Sequence, residues 1–72
     1  MQEQVRKSIN VAILEFLNEQ HMTKGQFCQI IGFTTTSLRN KMNGTRDWTW
    51  TEILKLSEIT GKSIDALAGF TA

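Results

Sequence analysis

The side chains here that could do chemistry are polar and cationic, and they are clustered. Thr35, Thr36, Arg39, Asn40 and Asn43 fall within one short stretch, with Lys24, Lys41 and Arg46 in or around it. Hydroxyls and amides donate and accept hydrogen bonds, and a guanidinium offers a planar fork of donors. Such a set is suited to recognising a surface rather than to breaking a bond. Residues 23–46 hold four cations and no acid, a charge of +4. The remainder sets four cations against seven acids, −3, so the formal net charge is only +1. A local basic patch on a nearly neutral domain can follow a phosphate backbone. With about four phosphates neutralised per copy, non-specific affinity and its salt dependence stay modest.

The residue types that catalysis would need are sparse. Cys28 and His21 are each the only one of their kind. Cys28 reads as a small buried filler where two helices cross, and His21 as a surface or helix-end residue. No catalytic group, metal site, cofactor or small-molecule substrate is expected. One cysteine cannot form an internal disulfide, which points to a reducing, intracellular setting. No apolar run approaches the ~20 residues that span a bilayer, and the polar start MQEQVRKSIN does not read as a signal peptide.

The elements that must position the cluster are marked by repeated caps. Thr23 and Gln26 have capping-box spacing, and Met22 and Phe27 flank them as a hydrophobic staple. Gly32 follows Ile30 and Ile31, where a left-handed residue ends a helix. The pattern restarts with Phe33, Thr34 and Leu38, and Gly44 stops it. Two short helices joined by about three residues favour a crossing of about 90–120°, a helix-turn-helix over residues 23–43. Leu38 and Met42 hold one side of the second helix to a core. Upstream, Val5, Ile9, Ala12, Ile13, Phe16 and Leu17 have the period of an amphipathic helix over residues 3–20, the back wall of the core, which ends between Asn18 and His21. Downstream, Trp48, Thr49, Glu52 and Ile53 form a third staple and capping box. That helix runs through Leu56 and Ile59 to Gly61. Ser63 caps a last turn with Ile64 and Leu67 inward, before a short tail, Phe70 to Ala72, that should fray. No strand pattern is visible. The expected fold is all-α: one domain over residues 1–72, a compact bundle of about five short helices.

Residues 22–44 resemble the helix-turn-helix of phage Cro- and CI-type repressors. The shared marks are the small residue Cys28, the turn glycine Gly32, the anchor Leu38 and the closing pair Asn43-Gly44. The run Ile53-Leu54-Lys55-Leu56-Ser57 is similar to that family's fourth helix. Lys41 stands where many members have a second apolar anchor, a role Met42 can take from the next position. Gly25 weakens the first motif helix by up to about 1 kcal/mol relative to alanine. The resemblance implies that Lys24 meets a phosphate, that Thr35, Thr36, Arg39 and Asn40 face base edges, and that Asn43 and Arg46 clamp the backbone, Lys41 adding a further phosphate-type contact. Thr35 and Thr36 equally fit a plain role as helix-start residues.

The whole chain also resembles the small lytic-switch proteins of Gram-positive temperate phages that modulate repression. That resemblance implies a different partner, the N-terminal DNA-binding domain of a CI-type repressor, and the cytoplasm of a bacterial host. Trp50, Leu54 and Phe70 are more apolar groups than so small a domain easily hides. Core burial is the default for Trp50, and a partner surface the alternative. Two mechanisms follow: an antirepressor or corepressor that engages the repressor, or a Cro-like repressor that dimerises on operator double-stranded DNA with its motifs ~34 Å apart.

Overall fold

The computed structural model describes residues 3–68. Its five helices are α1 (Glu3–Gln20), α2 (Lys24–Ile31), α3 (Thr35–Asn43), α4 (Trp50–Thr60) and α5 (Ile64–Ala68), with no strand among the described residues. Phe70 and the rest of the tail lie outside the described residues.

Each cap does its job locally. Thr23 Oγ1 accepts from Gln26 N (3.1 Å) and Gln26 Oε1 accepts from Thr23 N (2.9 Å), a reciprocal box that satisfies two donors α2 would otherwise leave bare. Thr49 and Glu52 repeat it at the start of α4. Thr34 Oγ1 accepts from Ser37 N at 3.1 Å to begin α3, and Ser63 Oγ accepts from Ala66 N at 3.1 Å to begin α5. Gly32 (φ 85°) closes α2, with its own N–H and that of Phe33 both reaching Cys28 O. A Cβ in that left-handed conformation would be strained.

α1 ends differently. His21 adopts φ 51°, the only non-glycine residue with positive φ among those described. Met22 N donates to Leu17 O (2.9 Å) and His21 N to Asn18 O (3.3 Å), the paired bonds of a Schellman ending built on a histidine. The side chain is exposed, so its replacement disturbs no packing. His21→Gly should therefore stabilise the fold by about 0.5–1 kcal/mol. That raises Tm by several degrees in a thermal melt, and an unchanged or lower Tm would count against the strain.

α1 is the wall on which the rest is built, packing against α3, α4 and α5, while α2 packs against α3 and α4. Ile9, Ile13, Phe27, Leu38, Leu56 and Leu67 are all at most 1% exposed, so every helix sends at least one side chain into a single core. Phe16 meets Phe27 edge to face at 6.0 Å between ring centres, an arrangement that the ring quadrupole favours. Cys28 is buried, as a small filler should be, and burial pushes its thiol pKa up, away from the reactive thiolate. α3 is tied in from its far end, where Asn10 Nδ2 donates to Met42 O at 2.7 Å. No described helix is long and apolar enough to cross a membrane.

Candidate functional site: the outer face of α3

With Leu38 buried and Met42 half-buried against the core, the opposite side of α3 faces outward. Thr35, Thr36, Arg39 and Asn43 are exposed there. Together with Lys24 at the start of α2, they line a groove of about 420 Å³ floored by Leu38 and Met42. Five of the residues singled out from sequence thus share one concavity, although Lys24 comes from a different helix. The capping work at this end is done by Thr34, so Thr35 and Thr36 are not needed for it. Among the described residues no hydrogen bond engages the side chains of Lys24, Thr35, Thr36 or Arg39. The groove is polar at its rim, cationic at two points and apolar at its base. It could accept a phosphate-bearing backbone or the polar face of a protein helix.

Asn40 and Arg46 are not among the residues that line that groove. Asn40 is half-buried and does not line the groove; its carbonyl accepts from Arg46 N at 3.1 Å, turning the chain after Gly44. Asn43 Oδ1 accepts from both Thr45 N (2.9 Å) and Thr45 Oγ1 (2.7 Å), which leaves the amide NH2 as the group it can offer outward. Arg46 is exposed just beyond the end of α3. Gly44, at φ 91°, lies against the Arg6 guanidinium, so a cation from α1 also stands beside the last turn of α3, where it complements the negative end of the helix dipole.

Lys41 is a correction. It does not face outward to meet a phosphate: its residue exposure is 7%. Its ammonium donates to Glu52 Oε1 (2.8 Å) and to the Asp47 carbonyl (3.1 Å). It also stands 5.4 Å from the centre of the Phe33 ring and 5.7 Å from that of Trp48, rings that pack on each other at 5.8 Å. A buried ammonium needs its charge balanced and its protons used. Here one carboxylate, one carbonyl and two ring faces do that. The apolar-anchor position is thus filled by a lysine, its stem in the core, and Met42 packs beside it.

Glu52 is the hub of this arrangement. The same oxygen that receives Lys41 also accepts from Thr49 N at 2.8 Å, so one carboxylate caps α4 and neutralises α3's buried cation. Burial alone would push its pKa up. The hydrogen bond from Lys41, the bonds with Thr49 and the Lys41 charge outweigh that, and the net shift is downward. The free cations of the motif face are therefore Lys24, Arg39 and Arg46, three rather than four.

Trp50 is the second correction, to the default of core burial. Trp48 is buried at 5% exposure, but Trp50 is 62% exposed, with Leu54 one turn on at 40%. α4 turns Leu56 fully inward and half-buries Ile53 and Ile59, which places Trp50 and Leu54 away from the core. Phe70, grouped with them from sequence, lies outside the described residues.

No family model matches the chain, and neither a curated protein nor a solved structure shows significant similarity to it. The fold and site define a class: a small all-α domain that presents one polar, mildly basic helix face and a separate exposed aromatic.

Proposed function

We propose that the chain is a non-enzymatic regulator of transcription in a phage genetic switch, acting on a CI-type repressor by binding its DNA-binding domain. In this reading α2 and α3 form a helix-turn-helix scaffold put to protein recognition, since scaffold does not dictate activity. The observation that carries the reading is the 62% exposure of Trp50 beside Leu54. Tryptophans are enriched among the few residues that dominate protein interfaces, and a domain that buries Trp48 so completely has no packing reason to leave its neighbour in water. The reduced charge of the α3 face agrees with it.

The second reading is direct operator binding by a Cro-like dimer, and the groove around Arg39 favours it. Lys24, Arg39 and Arg46 then neutralise about three phosphates per copy, a log–log salt slope of about −2.7, or about a 40-fold loss per copy between 50 and 200 mM salt. The deciding experiment is a titration of labelled operator with this chain, with and without the repressor, at those two salt concentrations. Loss of the repressor's shift identifies an antirepressor, and a larger joint shift identifies a corepressing complex. A nanomolar, sequence-specific shift by the chain alone, with the stated salt slope, would overturn the first reading in favour of the second.

A further inference from the structure

α5 packs along α1, yet the two helices leave a recess of about 350 Å³ between them. Lys62, just before α5, pairs with Glu15 at 3.3 Å and marks one end of it. The recess runs from there past Val11 and Ser8 to Lys7 and Gln4, with Ala66 of α5 on its other wall. α5 therefore advances toward the start of α1. The apolar lining is Val11, Ala12 and Ala66. Two of these are alanines, too short to fill the space, and Val11 is left 54% exposed. The volume stands at the foot of the roughly 300–1,000 Å³ range of ligand pockets, which is room for one large side chain.

We propose that the occupant is the chain's own Phe70, its ring lying over Ala66 and against Ser8 and Val11. The next residues after α5 are Gly69 and Phe70. Phe70 is four residues past Ala66 and three past Leu67, the offsets that share one face of a helix. Leu67 is fully buried and Ala66 lines the recess, so that face is the one turned to α1. One more turn is an advance of about 5.4 Å, from the level of Ala66 toward that of Gln4. A helical side chain leans back over the turn that precedes it, which brings the ring over Ala66 and Val11. Lys7 is exposed and has no ion pair among the described residues. Its stem can cover the ring edge and its ammonium the ring face. A side chain tethered two residues beyond α5 meets the recess at an effective concentration that no free partner matches. The seat on α1 also takes Phe70 away from Trp50 and Leu54, so the partner surface proposed above does without it.

Nuclear Overhauser spectra of the full chain read the contact directly. Cross-peaks from the Phe70 ring to the Val11 and Ala66 methyls are expected. Phe70→Ala should move those methyl resonances downfield and leave those of Leu14, which does not line the recess, in place. A double-mutant cycle supplies a second measurement. Phe70→Ala should lower the folding equilibrium constant about tenfold and Val11→Ser about threefold, while V11S/F70A should cost little more than Phe70→Ala alone. A ring with the shifts of an unfolded chain and no cross-peaks to α1, which is the frayed tail, overturns the proposal. So do cross-peaks to Trp50 or Leu54, strictly additive effects in the cycle, or contacts that appear only between labelled and unlabelled copies in a mixed sample.

Discussion

Glu52→Ala is expected to lower the unfolding free energy by about 3 kcal/mol, whereas Lys41→Met should change it by about 1 kcal/mol or less, in either direction. The asymmetry follows from what each change leaves behind. Without Glu52, the Lys41 ammonium stays inside the domain with a carbonyl and two ring faces but no anion. Stranding one member of a buried pair costs roughly 3–5 kcal/mol, and the lower end applies because the Glu52 side chain keeps 19% of its exposure. Without Lys41, a methionine fills the same space between Phe33, Trp48 and the start of α4, and Glu52 still accepts from Thr49 N and still touches water. Removing one partner of a pair is costly when it strands a buried charge, and here the carboxylate left behind keeps a backbone donor and solvent. A 72-residue domain has on the order of 4–10 kcal/mol to lose, so Glu52→Ala should shift a urea midpoint severely. Thr49→Ala is the control, since it removes only capping and should cost about 1 kcal/mol. Equal losses for Thr49→Ala and Glu52→Ala would show that the buried lysine does not depend on this carboxylate.

The same pair sets a pH dependence. The Glu52 pKa is lower in the folded chain than in the unfolded one, so its contribution is fully present above the unfolded value, roughly pH 4.3, and is lost as pH falls through the folded value. Acidification from pH 6 to pH 3 should therefore destabilise the parent more than Lys41→Met, which lacks the hydrogen bond chiefly responsible for the lowering.

How much of this could be read beforehand depends on the range of the interaction. The caps at Thr23, Thr34, Thr49 and Ser63 need one residue type and a donor three positions on. Their bonds close within a single turn, and the string of residues displays them. The inward stripe of α1 is legible for the same reason: a period survives without tertiary knowledge. Lys41 fails that condition. Its partner is eleven residues away, across the loop that follows Gly44, and Glu52 already had a sufficient local role in its capping box. The signal was its register, three residues after Leu38 on the buried side. Trp50 stands at the first position of α4, where the phase set by Ile53 and Leu56 decides inside from outside only once the entry of that helix is known. Val11 and Leu14 give no signal of their own, because six other apolar residues already account for the buried face of α1. The left-handed His21 could not be foreseen, since neither glycine nor asparagine marks it.

The exposed tryptophan yields the other large effect, and pairing it with Arg39 separates the two mechanisms. Trp50→Ala removes a side chain that is 62% in water and holds nothing in the core. The fold should lose no more than about 0.5 kcal/mol. If the ring is the anchor for a repressor domain, affinity for that domain should fall about 30- to 1000-fold, the range of an aromatic hot spot truncated to alanine. Arg39→Ala is the complementary probe. Under direct operator reading it deletes a bidentate contact to a base, costs about 1–3 kcal/mol and relaxes the preference at one base position, while Trp50→Ala leaves DNA affinity nearly unchanged. Under repressor binding, Trp50→Ala dominates, and Arg39→Ala produces only the smaller loss of a polar rim contact. Isothermal titration of both variants against the repressor domain and against operator DNA gives four numbers, and the two mechanisms order them oppositely. A Trp50→Ala chain that binds the repressor domain as tightly as the parent would remove the observation on which the protein-binding reading rests. The groove of Lys24, Thr35, Thr36, Arg39 and Asn43 would then be the remaining recognition surface.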